Sequence, residues 1–265
     1  MRPASFELVQ PTSRGEAEVG CALDVFWGMN KDQGRTVPML AFSIESGPDP
    51  ISVDAGMRSA ERAMNIHRLV PHRQPVGMSL PDQLAKFGVE AVEVKTLSLP
   101  HLDYDQWGGC ELLPNAQIIV QRSELAAAVA PMGPRTLENG SREPCDDRQD
   151  VAAMFETLWD RVEFIEGDTK LFAGIECVLY PNSHTPGSQC VYIDSMDGVI
   201  GCMGDLVCKV DPNGRKAIPP GIYYGLEEMQ RALRGDIIYP AHDPLVLEPD
   251  LKKRFAALSP PKPWP

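Results

Sequence analysis

The sequence predicts an α/β (α+β) fold of four layers, an αββα sandwich with its functional loops along one edge. Three observations predict it. The elements run ββ, then αβ, a loop, αβα, an insertion, βββ and a closing αβ, with periodic segments punctuated by Gly, Pro, Asn and Asp. An apolar, β-branched run, Val94–Leu99, ends in a His- and carboxylate-rich loop, His101-Leu102-Asp103-Tyr104-Asp105-Gln106, closed by Trp107-Gly108-Gly109. Three more candidate ligands, His184, Asp205 and His242, each follow a strand-like run, so sheets stacked in one sandwich would set them on the edge that carries the first loop.

Composition narrows the class. A chain of 265 residues can bury one large α/β core, and a single domain over 1–265 is expected. The formal charge of −12 opposes the basic patch that a nucleic acid or an anionic membrane would require, leaving small molecules as the expected partners. No run approaches the ~20 apolar residues of a membrane span, and the N-terminus lacks a secretory pattern, so a cytoplasmic protein is expected. The seven cysteines (Cys21, Cys110, Cys145, Cys177, Cys190, Cys202 and Cys208) form no C-x-x-C pair and no disulfide framework. They read mainly as buried thiols acting as small apolar residues.

The opening reads as an antiparallel sheet: Glu18–Trp27 with a turn at Gly28 and Asn30, then Val37–Glu45, then Ile51–Val53 after Pro48-Asp49-Pro50. Between Arg58 and Val76 the register is unclear, and His67 and His72 read as structural or solvated because neither has a partner at ligand spacing. A helix starts near Ser79 and Leu80 with Pro81 in its first turn and closes at Gly88, delivering the chain to a strand from Val92. After the His101 loop come one helical turn (Cys110–Leu113), a strand (Ala116–Val120) and an alanine-rich helix capped by Ser123 and running to Val129. The segment from about 131 to 161 turns polar and is read as an insertion over the active site and a possible homodimer contact. Its helical patch, Asp150–Asp160, puts Val151, Met154, Phe155, Leu158 and Trp159 on one side. Strands then follow at Val162–Ile165, Lys170–Phe172, Ile175–Leu179, Cys190–Ile193 and Val199–Met203. A helix at Leu226–Leu233, a buried strand at Ile237–Tyr239 and a proline-rich tail complete the chain.

His101, Asp103 and Asp105 stand at alternate positions, so in an extended loop imidazole and carboxylates point to one side and can converge on a cation. Taken singly, His184, Asp205 and His242 each read as a hydrogen-bonded structural residue. Their common position after strands makes them a set.

These motifs resemble the metallo-β-lactamase superfamily, and within it the lactonase branch that opens acyl-homoserine lactones and related rings. The family writes the loop as His-x-His-x-Asp-His, a small residue and Gly-Gly; here it stands as His101-Leu102-Asp103-Tyr104-Asp105-Gln106-Trp107-Gly108-Gly109. The likeness continues in Ser52-Val53-Asp54-Ala55-Gly56-Met57, Ser183-His184-Thr185-Pro186-Gly187-Ser188, Gly204-Asp205 and Pro240-Ala241-His242-Asp243-Pro244.

The resemblance implies that His101, Asp103 and His184 serve a first metal, that Asp105, Gln106 and His242 serve a second, and that Asp205 bridges them. Asp54 would support the loop through hydrogen bonds. Replacing an imidazole by the Asp103 carboxylate hardens the first site, moving it from zinc towards manganese or iron, and the neutral Gln106 amide weakens the second, so one or two ions per chain are implied. The implied activity is a metal-dependent hydrolase opening a small cyclic ester or cyclic amide by metal-activated hydroxide, with Asp105 taking and returning the proton. Where the lactonase branch often places an oxyanion-stabilising Tyr, this chain has Cys208, which leaves Tyr104, Tyr223 and Tyr224 as substitutes. The alternative is a catalytically degenerate protein of this fold that binds a small molecule in the same cavity.

Overall fold

Two β-sheets stack face to face, and one apolar cluster takes its residues from both. The computed structural model describes residues 8–19, 35–46, 49–66, 72–129, 148–195, 198–207, 209–210, 216–217 and 234–242. The first sheet contains β1 (Leu8–Val19), β2 (Arg35–Ser46), β3 (Asp49–Val53), β4 (His72–Arg73), β5 (Thr96–Ser98), β6 (Gln117–Gln121) and β7 (Val162–Ile165), in the order β4-β1-β2-β3-β5-β6-β7. The second contains β8 (Thr169–Phe172), β9 (Ile175–Leu179), β10 (Gln189–Ser195), β11 (Gly198–Cys202) and β14 (Ile237–Tyr239), in the order β14-β11-β10-β9-β8. A small ribbon pairs β12 (Lys209–Val210) with β13 (Lys216–Ala217).

Side-chain alternation along the strands separates the layers. On β6, Ile119 joins the cluster between the sheets, with Leu40, Phe42, Val53, Val191, Ile193 and Tyr239. Its neighbours Ile118 and Val120 point the other way, into a second cluster with Leu84, Leu125, Met154 and Leu158 from the helices outside the first sheet. Burying each such side chain contributes roughly 1.5–3 kcal/mol before the entropy cost of ordering it. The helix Leu80–Ala85 begins with a capping box: the Ser79 hydroxyl accepts from the Asp82 backbone N–H, and the Asp82 carboxylate accepts from the Ser79 backbone N–H. The helix predicted at Leu226–Leu233 lies outside the described residues, as does the tail.

Several local expectations are corrected. The opening strand is Leu8–Val19, whereas most of the predicted Glu18–Trp27 strand lies outside the described residues. Sequence patterning missed β1 because Pro11 and Gly15 interrupt it; they fall where its pairing with β2 shifts register, between Val9 and Thr12 and between Ser13 and Glu16. The stretch with unclear register forms a helix, Ala60–Ile66, and the short edge strand β4. No strand starts at Val92, which sits exposed in a turn; pairing begins near Lys95, whose backbone N–H donates to Pro50 O and whose carbonyl accepts from Gln117 N–H. The helix after β6 starts at Arg122, so Ser123 lies inside its first turn and does not cap it.

The patch predicted at Asp150–Asp160 changes pitch. An α-helix, Arg148–Ala153, widens into a π turn at Met154–Leu158 and tightens into a 3₁₀ turn at Trp159–Arg161. The predicted face splits as a result: Met154 and Leu158 are buried, while Phe155 and Trp159 are half exposed and stack on each other. The described part of the insertion, 148–161, therefore covers the outer face of the first sheet; residues 130–147 lie outside the described residues. Cys110, Cys177, Cys190 and Cys202 are buried free thiols, and burial pushes Cys177 up to about 12. Among the described residues no helix is long and apolar enough to cross a membrane.

The His101 loop is seated on the Asp54 turn by backbone contacts. Asp54 has a positive φ of 79°, stabilised by its own carboxylate accepting from Gly56 N–H at 2.7 Å. The turn so fixed receives the loop: Ala55 N–H donates to Gln106 O at 2.6 Å, and Gly109 N–H donates to Gly56 O at 2.7 Å. A Cβ on Gly109 would overlap the Ala55 carbonyl, and no rotamer change relieves a clash with backbone. Gly109→Ala is therefore expected to destabilise the protein by about 1–3 kcal/mol. Scanning calorimetry should show Tm lower by several degrees; an unchanged Tm would mean that the loop does not sit on this turn.

Candidate metal centre

Each donor stands just beyond the end of a strand. His101 and Asp103 follow β5, His184 follows β9, Asp205 follows β11 and His242 follows β14. The loop after β5 is extended only as far as Asp103. Tyr104–Trp107 form a helical turn, with Gln106 N–H and Trp107 N–H both donating to Asp103 O. The expected alternation of His101, Asp103 and Asp105 thus stops at Asp103, and the turn directs Asp105 to a different group of donors. Trp107, fully buried among Leu97, Leu99 and Leu102, anchors the turn in the outer cluster.

The donors form two groups, each with ligand atoms within 4.8 Å of one another: His101, Asp103, His184 and Asp205, and Asp105, Asp205 and His242. In the first group, Asp103 Oδ2 lies 3.5 Å from His101 Nε2 and 3.1 Å from His184 Nε2. Asp205 Oδ2 lies 3.7 and 3.6 Å from the same two nitrogens. In the second, His242 Nε2 lies 2.9 Å from Asp205 Oδ1 and 3.5 Å from Asp105 Oδ2. Asp205 therefore turns one carboxylate oxygen to each group. Gln106 reaches the same place, its Nε2 3.4 Å from Asp205 Oδ1.

Donor chemistry and spacing suit a divalent cation. Four donors arranged tetrahedrally at bond lengths of ~2.0–2.2 Å stand roughly 3.3–3.6 Å apart, close to the separations in the first group. Buried polar atoms without a hydrogen-bond partner collect here: both ring nitrogens of His101, Asp103 Oδ1 and Gln106 Oε1. His242 Nδ1 lies 2.9 Å from Pro38 O, which can only accept, so Nδ1 carries hydrogen and Nε2 is turned toward two carboxylates. Between that nitrogen and the carboxylates either a proton or a cation must sit.

The titration behaviour has the same cause. Burial favours a neutral His101, but the carboxylates of Asp103 and Asp205 outweigh it and push its pKa up to about 10. His242 is pushed up to about 10 in the same way, against burial, by Asp205 and Asp105. Asp103 is held well below the usual carboxylate range, against burial, by His101 and His184. Asp205 is lowered too, by His242, His101 and His184 in spite of burial. Asp105 moves up to about 6, first through burial and then through the neighbouring Asp205 carboxylate.

Of the residues singled out in the sequence, His101, Asp103, Asp105, Gln106, His184, Asp205 and His242 are brought together. Tyr104, a candidate catalytic residue, packs with Met39, Met57 and Ala63, and its hydroxyl lies 2.7 Å from His72 Nε2. The turn that carries Asp105 and Gln106 to the donors points Tyr104 to this other side. His72 is accordingly a buried partner of Tyr104. Tyr223, Tyr224, Cys208 and His67 lie outside the described residues. Sequence reading missed Glu124, a buried carboxylate on the helix Arg122–Val129 that bonds both the His101 and the His184 loops. Only its place shortly after a strand hinted at it.

Two stacked mixed sheets with a donor cluster on one edge define the metallo-β-lactamase fold. Known proteins similar to this chain include lactonases. The chain is 28% identical over 170 residues to the N-acyl homoserine lactonase AiiA of Bacillus thuringiensis subsp. kurstaki, an alignment covering 60% of this chain and 59% of that protein. The chain thus spans less than two thirds of the curated relative. A crystal structure of AiiA from B. thuringiensis, with N-decanoyl-L-homoserine at its active site, superposes with a TM-score of 0.66 at 20% identity, covering 91% of this chain and 94% of that one. AidC, a dizinc quorum-quenching lactonase, gives a TM-score of 0.66 at 16% identity, with 91% of each chain covered. No family model matches the chain.

The raised imidazole pKa values have a measurable consequence. In metal-free protein, His101 and His242 contribute stability that is fully present below the unfolded value of 6.5 and lost as pH rises through about 10. A bound cation takes the place of those protons. The gap between the Tm of metal-loaded and metal-free protein is therefore expected to widen between pH 6.5 and about 10. Calorimetry across that range tests it, and a gap independent of pH would refute it.

Proposed function

We propose that this chain is a metal-dependent hydrolase that opens a small cyclic ester or cyclic amide. The observation that carries the reading is Asp205, which offers Oδ2 to one buried donor group and Oδ1 to another. His101, Asp103, His184 and Asp205 would hold the first ion; Asp105, Gln106 and His242, sharing Asp205, would hold the second. Two carboxylates with two imidazoles suit manganese, iron or zinc. A divalent ion in such a set supplies Lewis acidity, polarising a carbonyl and making water acidic enough to attack near neutral pH.

The chain's own groups do the rest. Asp105 Oδ2 stands at the rim of the second group, 3.5 Å from His242 Nε2, where it can take a proton from the attacking water and return it to the departing oxygen or nitrogen. His242 is oriented by the Pro38 carbonyl, so its Nε2 faces inward. Because the Tyr104 hydroxyl is engaged by His72, stabilising the oxyanion would fall to the cation or to Tyr223 or Tyr224. The similarity to N-acyl homoserine lactonases supports ring opening of an ester, and a cyclic amide requires the same attack at a carbonyl.

A second reading, a small-molecule binder without turnover, is favoured by one observation: Gln106 stands where an imidazole would strengthen the second group, and its NH2 faces Asp205. A panel of lactones and cyclic amides offered to manganese- or zinc-loaded protein separates the two. Turnover lost on chelation and regained on reloading is expected; binding of a ring compound without turnover in the loaded protein would favour the second reading, and metal-free protein with full activity would defeat the first. Gln106→His is expected to raise the metal content from about one ion per chain to about two, because imidazole is the better ligand for zinc. Elemental analysis of protein purified without chelator reads this directly.

A further inference from the structure

We infer that Glu124 is the positioning residue of the centre, holding the His101 loop and the His184 loop at a fixed separation. The inference rests on the reading of the cluster as a metal centre. Glu124 belongs to neither donor group, yet it is buried, only 3% exposed, and its two carboxylate oxygens accept from both loops. Oε1 accepts from the backbone N–H of Leu102, the residue between His101 and Asp103, at 3.1 Å. Oε2 accepts from the Thr185 hydroxyl at 2.8 Å and from the Gly187 backbone N–H at 2.7 Å, both beside His184.

Other contacts give this clamp its direction. The Thr185 hydroxyl spends its only hydrogen on Glu124, so the Ser188 hydroxyl, 2.6 Å away, donates to Thr185 Oγ1 while accepting from the Thr185 backbone N–H at 2.8 Å. The His184 loop is thereby tied to itself and to the carboxylate. Gly187 allows the approach: a Cβ there would stand 2.6 Å from Glu124 N and 2.7 Å from Ser123 Oγ. Asp103 Oδ2 lies 3.1 Å from His184 Nε2, so donors of the two loops that Glu124 bridges stand within hydrogen-bond distance of each other. Glu124 thus acts on the cation through the geometry of its ligands.

The test uses the full chain, stripped with chelator, as wild type, Glu124→Gln and Thr185→Val. Each is titrated with manganese(II) or zinc(II) alone in competition with a chromogenic chelator, and a cobalt(II)-loaded sample is examined by visible absorption. Glu124→Gln should bind metal about 10- to 100-fold more weakly and shift the cobalt bands, with a smaller change in the same direction for Thr185→Val. A merely structural role would lower the metal-free Tm while leaving the affinity and cobalt spectrum of the folded protein at wild-type values, and that result overturns the inference. If Glu124→Gln does not fold, Thr185→Val decides by the same two readouts. Wild-type protein that takes up no divalent ion would instead defeat the metal reading itself, and this inference with it.

Discussion

Three carboxylates meet three imidazoles at one nearly dry sheet edge, and the rest of the site follows from balancing that charge. Asp103, Asp105 and Asp205 are each less than a tenth exposed. Leaving three anions together in so poor a solvent would cost several kcal/mol per ion without compensation. Without a metal, protons on His101 and His242 supply the compensation, which is why both rings titrate near 10. A divalent ion would perform the same service with a fixed coordination demand, and it would satisfy the otherwise unpaired Nε2 of His101. The preference for positive charge is thus a property of the chain, and Asp205, reaching both groups, couples them.

The sandwich makes this concentration of charge possible. The parallel pairings β3 with β5, β5 with β6 and β11 with β14 bring strand ends to a common edge, and the loops that leave those ends carry the donors. The cluster between the sheets packs one face of each, and the cluster under the helices packs the other face of the first sheet, so the edge loops inherit fixed starting points. What they do not inherit is fixed conformation. The Asp54 turn under the His101 loop and the Glu124 carboxylate between the His101 and His184 loops provide that, in both cases through hydrogen bonds to backbone N–H or C=O groups.

This division explains what could be read from the sequence. Strand runs such as Ile175–Leu179 and Ile237–Tyr239 were legible to the residue because their β-branched patterns and flanking turns are local. The candidate donors were reached differently: singly, His184, Asp205 and His242 read as structural residues, and only their common place after strands and the resemblance of the motifs around them made them a set. The Leu8–Val19 strand was not legible, since Pro11 and Gly15 are tolerated only where partner strands permit bulges. The split face of 148–161 was not legible either, because a π turn shifts the periodicity on which the reading relied. Tyr104 sits between two donors in sequence, but one helical turn sends it to His72, and alternation along an extended loop could not anticipate that turn. Glu124 was missed because its role lies in contacts to Leu102, Thr185 and Gly187, far from it in the chain.

Asp103 and Gln106, the two positions where the loop departs from the pattern it resembles, act in opposite directions, and their combined effect is asymmetry. Asp103 adds a full negative charge to the first group, which then holds two carboxylates and two imidazoles. Gln106 brings only a neutral amide to the second, and its NH2 already faces the Asp205 oxygen that this group needs. An ion entering the first group meets more charge and finds its donors already close to tetrahedral spacing. An ion held there would draw on Asp205 and leave less negative charge for the neighbour, so the second group would have both a weaker ligand and a partly neutralised bridge to offer. In a pair of equivalent sites the shared carboxylate would serve both ions alike; here Asp205 offers one oxygen to each of two unequal groups, and Asp105, beside the less demanding one, would be left freer to carry a proton.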